Sequence, residues 1–104
     1  MNKNGTKILS QIVRICKAID REYDKLSIEK NSLVFDRYHD DMLYQSEGAW
    51  NECNEIEHSL NEGKLTQEEV DLWIILFKDT LAFCKSVIKT QNESVKITSP
   101  VFGY

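Results

Sequence analysis

Apolar residues recur at three- and four-residue steps along nearly the whole chain, the period of one face of an α-helix. The first such stretch spans about residues 6–26, where Ile8, Leu9, Ile12, Val13, Cys16, Ile19, Tyr23 and Leu26 share a side. The pattern loosens through "LSIEKNS", and Asn31-Ser32 reads as a turn and helix cap. A second stretch, "LVFDRYHDDMLYQ", sets Phe35, Tyr38 and Met42 together, and Ser46 and Gly48 then suggest a break. A third carries Ala49, Trp50, Cys53, Ile56 and Leu60 on one arc and stops at Gly63, a natural left-handed cap.

The fourth stretch has the strongest start signal. Thr66 is followed three residues later by Glu69, a capping box, just ahead of "VDLWIILF". That run is apolar on nearly all sides, and Leu81, Phe83, Cys84, Val87 and Ile88 continue it. Such a helix is expected at the centre of a bundle or buried at a subunit interface. The last stretch, 92–104, contains "SVKITSPVFGY"; it is β-branched, ends in Phe102 and Tyr104, and is expected to dock on the bundle or on a partner. No repeat or strand-like alternation precedes it. The expected fold is all-α, an antiparallel four-helix bundle with an extended C-terminal tail, forming one domain over 1–104.

Composition narrows the function classes. A chain of 104 residues has room for one core, and its modest size favours a homo-oligomer. No apolar run is long enough for a membrane span, and the interrupted N-terminal pattern is not that of a signal peptide, so the expected location is cytoplasmic. The cysteines, Cys16, Cys53 and Cys84, are odd in number, lack a CxxC pair, and sit among apolar residues. They read as buried reduced thiols.

The formal charge of −4 is unevenly spread: eight of thirteen Lys and Arg lie in the first 37 positions, and eleven of seventeen acids lie between Asp36 and Asp71. This balance disfavours general nucleic-acid binding. It suits bound cations, a basic partner surface, or simple solvation.

Two acid pairs stand out, Glu52 with Glu55 and Glu68 with Asp71. Acids at i and i+3 project from neighbouring turns of one helix face, within reach of a single cation. Two such pairs on adjacent antiparallel helices can make a nest of four carboxylates suited to Mg²⁺, a hard ion that leaves positions open for substrate phosphates. On a helical wheel Glu52 and Glu55 lie off the apolar arc of their segment. Glu68 and Asp71 share a side with Ile75 and Ala82, a side expected to be interior if the helix is central.

The spacing Glu52-x-x-Glu55, twelve intervening residues, then Glu68-x-x-Asp71 resembles the motif of the all-α nucleoside triphosphate pyrophosphatases, the MazG-like superfamily. The flanks "NECNEI" and "EEVDLWIILF" are similar to that family's pattern, although Asn54-Glu55-Ile56 stands where many members have Gly-Glu-Leu. The likeness covers about a quarter of the chain. It implies a small helical dimer or tetramer that hydrolyses nucleoside triphosphates to monophosphate and pyrophosphate. Glu52, Glu55, Glu68 and Asp71 would ligate Mg²⁺ or Mn²⁺, and Lys78 and Lys85 are positioned to contact substrate phosphate.

Two other readings compete. Asp36-x-x-His39 and Glu55-x-x-His58 have the carboxylate-x-x-His spacing of di-iron sites, which also need bridging carboxylates such as Glu22, Asp24 or Glu29. The alternative from a different class is a non-catalytic acidic helical protein (an inhibitor, immunity protein or adaptor) that presents residues 36–71 to a basic partner. No nucleophilic triad, P-loop or dinucleotide fingerprint is visible. Trp50 and Trp73 fall on apolar arcs and are expected in the core.

Overall fold

The computed structural model describes the backbone of residues 3–101 and the side chains of residues 7–93. Within that span the chain is three long helices with no strand: α1 Lys3–Asp24, α2 Ser32–Asn61 and α3 Gln67–Val101. The short connections turn the chain back on itself twice. All three helices contact one another in a rod with extents of 63 × 18 × 17 Å.

The fold is all-α as expected, but the bundle has three helices where four were anticipated. The break expected at Ser46 and Gly48 is absent, and the second and third stretches form the single helix α2. The buried positions explain this. Met42, Ser46, Ala49, Cys53 and Ile56 all face inward at alternating four- and three-residue steps that run straight through Gly48. A mid-helix glycine costs about 0.5–1 kcal/mol, whereas burying a side chain such as Met42 or Ile56 contributes about 1.5–3 kcal/mol. Continuity of the apolar stripe therefore outweighs the glycine.

The tail also differs from expectation. From residue 92 the backbone remains helical to Val101, in keeping with the absence of a Gly or Pro stop signal before Pro100. Phe102 and Tyr104 lie outside the described residues.

The helix ends follow their sequence signals. The Asn31 side chain accepts from the Val34 backbone N–H at 3.1 Å and caps α2. Gly63 adopts φ +69°, the left-handed conformation a C-terminal cap requires. At the start of α3 the Glu69 N–H donates to Thr66 Oγ1 at 3.2 Å, and the Glu69 carboxylate receives the Thr66 hydroxyl at 3.0 Å.

The core is one continuous cluster. Ile12, Ile19, Met42, Ile56, Cys16 and Cys84 are fully buried at its centre, and Trp50 and Trp73 pack against it partly buried. Polar links between the elements run through and beside the core. Asp20 on α1 accepts from the Ser46 hydroxyl and, at 2.7 Å, from the Trp50 indole N–H, both on α2. Fully buried Gln91 on α3 accepts the Ser27 N–H at 2.8 Å and donates to the Lys25 carbonyl at 3.1 Å, satisfying the turn that follows α1. No buried side-chain polar atom among the described residues lacks a partner, so each link is stabilising rather than a cost.

Candidate functional site

α2 is amphipathic along its full length, and seven of the chain's seventeen acids lie on its solvent-facing surface. The buried stripe ends against α1 and α3. On the opposite side, steps of four and three residues align Asp36, Asp40, Tyr44, Glu47, Asn51, Glu55, His58 and Glu62, all exposed. Five carboxylates and no Lys or Arg share this stripe. From Asp36 to Glu62 it extends roughly 40 Å at 1.5 Å per residue. Successive acids beyond Asp40 are about 10–12 Å apart, close to the screening length in physiological salt. Their mutual repulsion is therefore slight, which allows a row of like charges on a stable helix.

The exposure extends beyond this stripe. Each of the eleven acids from Asp36 to Asp71 is exposed. Glu52 lies toward the α1 flank, and its carboxyl is shifted above the usual range, first by desolvation at the helix flank and then by the neighbouring Glu55 carboxylate. Asp71 accepts from the Gln67 side-chain amide at 2.9 Å, one turn earlier on the same helix. Glu68 is exposed, as are Ile75 and Ala82, so the interior position expected for the second acid pair is not found. α3 buries instead the side carrying Val70, Phe77, Cys84, Val87 and Ile88. Among the described residues no three His, Cys, Asp or Glu side chains are arranged to hold a metal ion. Within a single chain, then, the two acid pairs do not close into one ligand set. Lys78 and Lys85 are exposed on α3.

The two histidines are occupied with other partners. His39 is half-buried, with Nε2 2.9 Å from the Tyr23 hydroxyl and its ring tilted against Phe35, centroids 4.6 Å apart. Its Nδ1 lies 3.2 Å from Asp40 rather than beside Asp36. His58 is exposed and pairs with Glu62 at 3.1 Å. Of the acids named as possible bridges, Glu22 is buried and paired with Lys25 at 2.7 Å. The carboxylate-x-x-His spacings are thus spent on packing and local pairing.

The thiols are interior, as the sequence indicates. Burial raises Cys16 to about 12, aided by the nearby Cys53 thiol, and raises Cys84 to about 11. Cys53 is also raised by burial, with its hydrogen bond to Cys16 opposing the shift. All three are protonated and unreactive near neutrality.

Sequence reasoning missed two features. The outward stripe was not distinguished from the acid pairs, although its spacing is readable from Asp36 onward. The Asp20–Ser46–Trp50 link was also missed; its signal is a carboxylate beside Ile19 on a buried arc, opposite two hydrogen-bond donors one turn apart.

At the turn between α1 and α2 an open groove of about 640 Å³ is bordered by Ile28, Leu33, Arg37, Tyr38 and Thr90. No helix among the described residues is long and apolar enough to cross a membrane. Comparison with protein-family models, curated proteins and solved structures finds no match for this chain.

Proposed function

We propose that this chain is a non-catalytic helical binding protein that docks a basic partner through the outward face of α2. The observation that carries the reading is that all eight acids from Asp36 to Glu62 are exposed beside a single Lys or Arg, Arg37. A stripe of carboxylates about 10 Å apart on a rigid helix matches a helix or groove presenting Lys or Arg at similar intervals. Such complementarity accelerates encounter and rejects acidic competitors. The charge density also separates this face from a nucleic-acid mimic: duplex DNA carries about one charge per 1.7 Å, several times denser than this row.

The test uses an oligo-lysine peptide as the probe. Affinity is measured by calorimetry for wild type, for Asp40→Asn/Glu47→Gln/Glu55→Gln, and for Asp24→Asn/Glu29→Gln/Glu93→Gln, which removes the same charge elsewhere. The outer-face variant is expected to bind at least about tenfold more weakly, a loss of roughly 1.4 kcal/mol, and the control to bind nearly as wild type. Equal losses in both would reduce the interaction to net charge and overturn the docking face.

One observation favours the pyrophosphohydrolase as a second reading. The raised Glu52 carboxyl beside Glu55 is a pair of like charges that a bound cation would relieve. Turnover of nucleoside triphosphates with Mg²⁺ or Mn²⁺ to monophosphate and pyrophosphate, abolished in both Glu55→Gln and Asp71→Asn, would replace the binding reading with the enzyme. Absence of that product pair across nucleotides is expected.

A further inference from the structure

α3 has two apolar sides, and the core uses only one. Opposite the buried side, Leu72, Ile75, Leu76 and Phe83 are 60%, 54%, 53% and 37% exposed. They align at helical spacing with the exposed Ala82, and Asp79 is the charged residue among them. A run of large apolar side chains facing water on one helix marks a contact surface.

The charges beside the stripe identify its occupant. Glu68 and Asp71 lie at the N-terminal end of this face, and Lys85 and Lys89 lie at its C-terminal end. In an antiparallel pairing with an identical helix, three couplings share one centre. Leu72 meets the partner's Phe83, Asp71 meets the partner's Lys85, and Glu68 meets the partner's Lys89, and the midpoint of every pair falls between Phe77 and Asp79. Helix geometry sets Asp71, Lys78, Lys85 and Lys89 along one flank, and a two-fold axis keeps that flank on the same side in both copies. Asp79, the polar residue within the stripe, lies beside the axis and so approaches its own counterpart as well as the partner's Lys78. At the ends of the interface a parallel pairing would instead set Asp71 on Asp71, Lys85 on Lys85 and Lys89 on Lys89. Lys85 and Lys78 have no ion-pair partner among the described residues of their own chain, and Lys89 makes only a 3.9 Å contact with Glu93.

We infer that the chain forms a two-fold dimer in which the outer faces of two α3 helices pack antiparallel, crossing near Lys78. The second copy covers Leu72, Ile75, Leu76 and Phe83, and the ends of the interface are closed by the Asp71–Lys85 and Glu68–Lys89 pairs. The interface lies on α3 and adjoins only the near flank of α2, where Phe83 meets Tyr38 and lies close to Asp41; the row from Asp36 to Glu62 stays open, so the dimer stands or falls separately from the docking proposal.

Sedimentation equilibrium of the full chain tests this. Wild type is expected to show a dimer that dissociates on dilution. Leu76→Glu, at an already exposed position, is expected to weaken it at least tenfold while the circular dichroism and melting temperature stay near wild type. Asp71→Lys and Lys85→Glu are each expected to weaken the dimer, and the double variant to restore it, because the swap rebuilds both pairs. As a check on register, Asp79→Cys is expected to give a covalent dimer under a mild thiol oxidant such as oxidised glutathione, while Tyr44→Cys, exposed on α2, remains monomeric on a denaturing gel. A wild-type chain monomeric at every concentration would overturn the inference. So would a dimer indifferent to Leu76→Glu, a double swap no better than its single parents, or cross-linking through Tyr44→Cys in preference to Asp79→Cys.

Discussion

Individual side chains divide between fastening the bundle and facing solvent, and Asp20 shows how a charge can belong to the first group. Its carboxylate receives one hydroxyl and one indole N–H from α2, so truncation leaves two donors without an acceptor. Asp20→Ala is therefore expected to lower stability by about 1–3 kcal/mol, read as a reduced urea midpoint with an unchanged m-value. The thiols make a second, pH-dependent contribution. Their ordinary value of 9.0 rises to about 12 for Cys16 and about 11 for Cys84 in the fold. For groups raised on folding, the contribution is fully present below the unfolded value and is lost as pH climbs toward the folded one. Stability should thus hold up to about pH 9 and fall between there and about 12; Cys16→Ala/Cys84→Ala, although less stable at neutrality, should show a shallower alkaline decline. An alkaline slope identical in both proteins would show that the thiols do not contribute to it.

At the scale of the helices, Gly48 and Gly63 have opposite roles. Gly48 lies in mid-helix with nothing within 4 Å of where a Cβ would sit, so Gly48→Ala should stabilise α2 by about 0.5–1 kcal/mol. Gly63 holds φ +69° at the end of α2, and Gly63→Ala should destabilise by roughly 1–2 kcal/mol. Thermal melts of the two variants should therefore move in opposite directions; movement the same way would contradict the helix assignment at one of them. These residues also show what is legible in sequence. Gly63, Asn31 and the Thr66/Glu69 box signal through local chemistry, and each appears where its residue type demands. Ser46 and Gly48 carry a local break signal that the stripe on either side overrides, because Met42, Ala49 and Cys53 keep a common inward face. The sides of α3 were less legible still. "VDLWIILF" is apolar all round, and only packing distinguishes Val70 and Phe77, which are buried, from Leu72, Ile75 and Leu76, which are not. The acid pairs suffered the same ambiguity: their spacing is visible in sequence, but whether Glu68 and Asp71 face inward depends on which side of α3 the core selects.

The whole molecule is a rod with its row of carboxylates on α2 and its longest exposed apolar run on α3. α1 carries much of the basic charge, α2 turns a row of carboxylates outward, and α3 keeps one apolar side for the core and one for solvent. This division lets the chain pair with a copy of itself along α3 while α2 remains free, so that a dimer would present two acidic faces and gain avidity toward a repeated basic target. The most direct test of the acidic face as a docking surface is the melting temperature of wild type and of Glu52→Gln/Glu55→Gln/Glu68→Gln/Asp71→Asn, each measured alone, with Mg²⁺ or Mn²⁺, and with oligo-lysine. A ligand that binds the folded state raises the midpoint in proportion to its occupancy. The expected result is a rise with oligo-lysine in the wild type and no metal-dependent rise that the four substitutions remove. A metal-dependent rise lost in that variant, with no response to oligo-lysine, would contradict the docking face and make the four acids a cation site.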